Sequence, residues 1–263
     1  MTTKNSFGRK LPEIPVNYIK IDTHCHTKPS SLCSEISPER LVDLYVTHGY
    51  DAVVLTNHYQ KSHLAQFGDK PKDIIDGFLA DYYATVKAAK GTRLKVFLGA
   101  EVNFLNTETF ELPGGEKVLV HGEFLLFGVS ENFLKNTYDL CDLTQKELFE
   151  LCDGENILCY QSHPLRTMHH CKPLDPKYMH GAEVFNPHFY QDSRKALEFA
   201  KENNLLISGG SDFHYESDAG NAAMYVPKDV SDQFELRDYL KTGESLIADK
   251  NGLILKNGLF LTE

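Results

Sequence analysis

The chain has 263 residues, 41% of them hydrophobic, and 27 basic against 37 acidic residues give a formal charge of −10 at pH 7. That length accommodates one large α/β domain with a full core, so residues 1–263 are expected to form a single domain, with 1–17 as an N-terminal extension and 227–263 as a helix-and-strand elaboration. The acidic balance, with no basic run, excludes a protein that holds nucleic acid by neutralising many phosphates, whereas a small anionic substrate remains compatible with a local cationic site. The first seventeen residues contain no apolar stretch, so neither a signal peptide nor a membrane anchor is expected and the chain reads as cytoplasmic. Six cysteines (25, 33, 141, 152, 159 and 171) include no CxxC pair and are expected to remain thiols.

In chain order, residues 18–21 read as the first strand. Ser37 as N-cap and Pro38 at the first helical position predict a helix ending near Gly49. A second strand is expected at 52–55, a helix from Pro71 to a stop at Gly91, and a third strand at 96–98. Residues 106–120 break the rhythm, because Pro113, Gly114 and Gly115 mark a turn whose flanks can pair as a hairpin on the rim. Apolar runs at 124–129, 157–160, 182–185 and 205–207 complete seven candidate strands, with helices at 144–152, 191–203 and 231–241. Residues 243–263 read as a structural pair of edge strands. The alternation of strand and helix predicts a barrel.

The polar residues on this layout are unevenly placed. His24 and His26 follow the first strand, His58 the second and Glu101 the third; His163 follows the run at 157–160, and Asp212 and His214 follow 205–207. In a parallel barrel the C-terminal ends of the strands meet at one face, so these residues would converge. Residues two apart on extended chain point to the same side, which pairs His24 with His26 and Asp212 with His214 while Cys25 and Phe213 face away. Core packing alone accounts poorly for two such pairs. Imidazole and carboxylate together suit borderline and hard divalent metals, and the two oxygens of Glu101 can bridge two ions. A pair of ions roughly 3.5–4 Å apart can activate water against a phosphate.

The ordered motifs Asp22-Thr23-His24-Cys25-His26-Thr27, Thr56-Asn57-His58, Gly99-Ala100-Glu101, Ser162-His163-Pro164 and Gly210-Ser211-Asp212-Phe213-His214 resemble those of the PHP (polymerase and histidinol phosphatase) domains, over residues 19 to about 226. The resemblance implies a distorted seven-stranded (β/α) barrel, two or three divalent ions (zinc, manganese or iron), and hydrolysis of phosphate mono- or diesters. By position it implies that His24, His26, Glu101 and Asp212 bind one ion, that Glu101 bridges to a second held by His121 and His163, and that His58 and His214 take a third. His121 is placed only by its position ahead of the strand near 124–128. Two departures stand out. Asn57 occupies a position that is usually Asp in the family, and Ser31 and Leu32 fall where an acid or histidine commonly follows the second histidine, leaving Cys33 or Glu35 to complete the third site.

Arg166, three residues after His163, is the candidate phosphate clamp, since a guanidinium matches phosphate oxygens as a fork. Lys28 is a second candidate. His188 reads as a general acid or a supporting group, and His169 and His170 as bystanders. The expected activity is hydrolysis of a small phosphorylated metabolite, such as histidinol phosphate, a nucleotide or a sugar phosphate. Hydroxide generated at the metals would attack phosphorus directly, with Glu101, His163 and Asp212 central to catalysis. A carbon–nitrogen or lactone hydrolase of the amidohydrolase type is the first alternative, weakened by the lack of a carbamylatable lysine after a mid-chain strand. A non-catalytic metal-binding module is the second, weakened by the eight ligand candidates retained. No stable nucleic-acid partner and no membrane association are expected. Specificity is assigned to the loops 60–75, 106–120 and 165–180.

Overall fold

Capping chemistry sets the helix starts. Ser37 accepts from the Arg40 N–H at 3.2 Å and opens a helix with Pro38 in its first turn. Thr144 and Glu147 cap each other reciprocally, and Asp192 and Asp232 accept from backbone N–H groups at two later starts. The computed structural model describes residues 13–106, 108–111, 113–167 and 171–261. Among these, the helices are α1 (Pro38–Thr47), α2 (Lys61–Leu64), α3 (Pro71–Ala89), α4 (Glu131–Asn136), α5 (Gln145–Gly154), α6 (Ser193–Glu202) and α7 (Gln233–Leu240). The five helices expected from the sequence are all present; α2 and α4, at six residues or fewer, are too short to show a period.

The strands begin with β1 (Tyr18–Cys25), β2 (Ala52–Leu55), β3 (His58–Tyr59), β4 (Lys95–Leu98), β5 (Ala100–Asn103), β6 (Thr109–Glu111), β7 (Lys117–Leu119) and β8 (Glu123–Phe127). They continue with β9 (Leu158–Gln161), β10 (Gly181–Phe185), β11 (Leu206–Gly209), β12 (Ala222–Pro227), β13 (Leu246–Asp249), β14 (Gly252–Lys256) and β15 (Leu259–Phe260). All seven expected strands form, and β6 and β7 make the expected rim hairpin.

Their assembly departs from a closed seven-stranded ring. The ladders make a seven-stranded sheet in the order β15-β14-β13-β12-β1-β2-β4, a six-stranded sheet in the order β11-β10-β9-β8-β5-β3, and the β6-β7 hairpin. Among the described residues these sheets do not close on one another, and both larger sheets are mixed: β1 runs antiparallel to β12, and β8 antiparallel to β5 and β9. Among the described residues the connection from β5 to β8 carries only the rim hairpin, and without a crossover helix these two strands pair antiparallel. The terminal strands β13–β15 extend the same sheet that holds β1.

Where the two sheets meet, the chain steps between them. β2 and β4 lie in one sheet, and their continuations β3 and β5 lie in the other. Gly99 sits at this step, where an added Cβ would stand 2.8 Å from Val54 Cγ1 and 3.2 Å from the Leu126 carbonyl oxygen. Both sheets contribute to the core beneath, through Ile21, Val54 and Met224 on one side and Leu125, Tyr160 and Val184 on the other, each worth about 1.5–3 kcal/mol when fully buried. All six cysteines are free. No helix among the described residues is long and apolar enough to cross a membrane.

Candidate metal centre

The two alternating motifs lie side by side. Cys25 and Phe213 form an isolated parallel bridge, with Phe213 N–H donating to His24 O at 3.2 Å and His26 N–H to Phe213 O at 3.1 Å. Cys25 and Phe213 point into the core around Tyr45, so His24 and His26 face the opposite way, as alternation on extended chain requires, and Asp212 and His214 meet them there. On the other sheet, His58 of β3 is in register with Glu101 of β5. Glu101 pairs with Leu125 of β8, which places the apolar core directly beneath its carboxylate.

Glu101 is the hub. Its Oε1 lies 3.3 Å from both His24 Nε2 and His163 Nε2, and its Oε2 lies 3.0 Å from His58 Nδ1 and 3.5 Å from His26 Nε2. Asp212 Oδ1 lies 3.3 Å from His24 Nε2 and 3.2 Å from His26 Nε2. His163 and Asp212 both take left-handed backbone conformations, at φ 30° and 54°, a strain that non-glycine residues tolerate where the side chain's direction matters.

The charges are mutually supporting. Burial favours neutral Glu101, but His24 and His58 outweigh it and hold its pKa well below the usual range. Burial likewise opposes the charge on Asp212, and His24, Arg166 and His214 hold it as a carboxylate. Burial together with the charges of His214 and His58 keeps His26 neutral. Despite complete burial, His24 Nε2, His26 Nε2, His58 Nδ1 and both Glu101 oxygens lack an aligned hydrogen-bond partner. Buried polar atoms in that state are costly unless something else engages them. Three groups of side chains converge closely enough for a cation: His24, His26, Glu101 and Asp212; His58, Glu101 and Glu123; and His26, His58 and His214. Neutral imidazole with anionic carboxylate is the donor set of borderline divalent metals, so these residues fit such ions.

One of these groups brings together the four residues expected at the first site. The acid facing His58 and Glu101 is Glu123, which sequence reasoning missed. His121 donates toward it instead, with Nε2 2.8 Å from Glu123 Oε2, and is partly exposed; His163 Nε2 lies 3.5 Å from the same oxygen. The signal was available: His121-x-Glu123 repeats the two-residue alternation of His24-x-His26 and Asp212-x-His214. Burial and Glu101 oppose the charge on Glu123, and His121 is among the groups that bring its pKa down.

A buried outer layer orients these side chains. Glu183, also missed, stands in the apolar run of β10, where a fully buried acid requires partners. Its Oε1 lies 2.9 Å from His24 Nδ1, and its Oε2 accepts from the His163 N–H at 3.1 Å and the Asn186 amide at 2.8 Å. Asn57 does not act as an acid; it accepts from the Thr27 N–H and the Ser31 hydroxyl and donates to Asp81, a buried carboxylate on α3. Replacing Glu183 by Gln is expected to lower metal affinity and turnover about 10–100-fold by loosening His24, checked by metal titration and kinetics; wild-type values for both would refute this role.

Arg166 is buried against Asp212, with which it forms an ion pair, and its Nε has no hydrogen-bond partner. It lines a cavity of about 490 Å³ with Cys33, His58, Glu123, His188, Asp212 and His214, among others. His188 Nδ1 lies 3.0 Å from Asp218 Oδ2, and its ring stacks on His214 at 4.9 Å. Lys28 is exposed and lies outside the cavity lining. His169 and His170 lie outside the described residues. Cys33 Sγ lies 3.1 Å from His214 Nε2; burial would raise its pKa, but contacts with His214 and His58 bring it down to about 6.

Two mixed sheets with a buried cluster of histidines and acids where they meet define a class of fold and site, and comparison with known proteins identifies the family. Residues 22–215 match the PHP domain model, and residues 191–245 match a PHP-associated model. The chain belongs to the PHP domain family. An uncharacterised protein of Methanocaldococcus jannaschii is 28% identical over 177 residues, 59% of this chain and 70% of that one. A two-domain Bacteroides vulgatus protein containing a predicted PHP-like metal-dependent phosphoesterase superposes with a TM-score of 0.60 at 18% identity, over 91% of this chain and 66% of its own. A lesion-specific endonuclease from Pyrococcus furiosus superposes with a TM-score of 0.56 at 13% identity, over 91% of this chain and 58% of its own. The chain thus spans about two thirds of the first of these structures and 58% of the second.

Proposed function

We propose that the chain is a metal-dependent hydrolase of phosphate esters, acting on a small phosphorylated metabolite such as histidinol phosphate, a nucleotide or a sugar phosphate. The observation that supports this most is the buried Glu101 carboxylate, with neither oxygen in an aligned hydrogen bond, at the junction of two ligand groups and within reach of four histidines. Two or three ions of zinc, manganese or iron would be held by His24, His26, Glu101 and Asp212, by Glu101, Glu123 and His163, and by His58 and His214. When bound they would supply an acidified water and neutralise phosphoryl charge.

The chain's own residues do the positioning. Asp212 braces the Arg166 guanidinium, and Arg166 lines the cavity, where it would receive phosphate oxygens. His188, fixed by Asp218, is placed on the cavity wall to hold the proton that a leaving alcohol needs. A volume of about 490 Å³ is in the range of small-molecule sites. The net charge of −10 disfavours extended nucleic acid. The same reading takes residues 1–263 as one domain, since β13–β15 continue the sheet containing β1.

The test is product release from a panel of phosphomonoesters, an aryl phosphodiester and a short oligonucleotide, before and after chelation and with metal restored. Monoester turnover that disappears on chelation and returns with metal is expected. No turnover of any substrate with full metal loading would sink the hydrolase reading, and cleavage of the oligonucleotide alone would move it to a nuclease.

A further inference from the structure

The segment between β1 and α1 is bent over the metal centre by bonds on both flanks. Ser31 N–H donates to Thr27 O at 2.9 Å, Ser34 N–H to Ser31 O at 3.0 Å, and Glu35 N–H to His214 O at 3.0 Å. The Ser34 hydroxyl lies 3.3 Å from the carbonyl oxygens of both His26 and His214. The tip so formed carries Cys33, whose Sγ stands 3.1 Å from His214 Nε2 and also contacts His58. Independently of the cysteine, His26, His58 and His214 converge as one group, and His26 Nε2 and His58 Nδ1 are buried without an aligned partner.

The other residues of the segment are committed elsewhere. The Ser31 hydroxyl lies 3.0 Å from His26 Nδ1, 3.0 Å from Asn57 Oδ1 and 3.0 Å from the His58 backbone N, so its bonding capacity is used. Glu35 is exposed and meets His214 through its backbone. Ser31, Ser34 and Glu35 meet His58 or His214 at their backbones, whereas the Cys33 sulfur meets their imidazoles.

We propose that Cys33 is a thiolate ligand of the cation held by His58 and His214. The assignment rests on the metal-centre reading above. On binding, the thiol proton passes to solvent and a sulfur–metal bond forms. A soft sulfur among nitrogens makes this position favour zinc or iron(II) over manganese or magnesium, unlike the carboxylate-rich site at Asp212.

The test uses the full chain stripped by chelation and reloaded with cobalt(II), with cobalt counted and the spectrum recorded. The wild type is expected to show a near-ultraviolet sulfur-to-cobalt charge-transfer band. Cys33→Ser should lose the band and bind about one cobalt fewer per chain. Cys33→Asp should regain the ion without the band. Cys171 lies 3.8 Å from His163 Nδ1, so Cys171→Ser is the control and should keep the band. Matching melting curves of the metal-free variants would show that each is folded. A band that survives in Cys33→Ser, or one lost in Cys171→Ser alone, overturns the assignment. Cobalt bound by the wild type without a band overturns it while leaving the metal centre standing, whereas no cobalt bound at all overturns both.

Discussion

Glu101→Gln is expected to lower turnover by at least ~10³-fold, comparable to or beyond the loss of a preorganised electrostatic group, while leaving the fold intact. The substitution keeps the shape of a side chain that is 0% exposed and exchanges one oxygen for an amide. The amide donates where four imidazole nitrogens approach within 3.5 Å, and it carries no charge to hold His24 and His58. Any bridging of two ions by Glu101 would be lost, because a carboxamide offers one acceptor atom instead of two. The bound metal should therefore fall together with kcat, and circular dichroism should stay native. Near-normal turnover with a full complement of metal would show that Glu101 is not the bridge.

Gly210→Ala should be the most damaging change outside the ligands themselves. Its added Cβ would stand 2.4 Å from His24 Cβ, 2.9 Å from His24 N and 3.2 Å from Glu183 Oε1. Two of those atoms belong to β1, so relief requires moving the strand that carries His24 or opening the Glu183 contact. Overpacking of this kind costs about 1–3 kcal/mol, and displacement of a ligand together with its supporting acid should cost a further ~10–100-fold in metal affinity. Denaturant melts of the metal-free protein and metal titration separate the two effects. Gly154→Ala serves as the control, because nothing lies within 4 Å of its Cβ position. Equal behaviour of the two variants would refute the packing argument.

The residues that announced themselves in the sequence share one property: they stand in pairs or at strand ends where their chemistry has no packing explanation. His24, His26, Asp212 and His214 were legible because alternation on extended chain fixes their side without knowledge of the partner strand. Glu183 was not, since an isolated acid inside an apolar run becomes meaningful only when His24 and the His163 backbone are seen to meet it. Glu123 was hidden by its place at the first position of β8, where the apolar run that follows drew the boundary one residue late. Pairing direction was illegible for a related reason. Periodicity locates β1, β8 and β9 but says nothing about which neighbour each finds, and the absence of a crossover helix between β5 and β8 was the one local hint. β12 (AAMYVP) went unread although, at six residues, it is longer than β2 and β4, which were read.

The bridge between Cys25 and Phe213 joins segments from opposite ends of the chain, and the Thr23 hydroxyl adds a bond to Gly209 O across 186 positions. On the ribosome, the first two histidines emerge long before the aspartate that meets them. Between residues 101 and 212 the nascent chain holds three of the four side chains of that group and still lacks the last. Contacts so distant in sequence also form slowly. If the group holds an ion, its capture would therefore be a closing act of folding, and metal would have to reach the finished chain rather than the growing one.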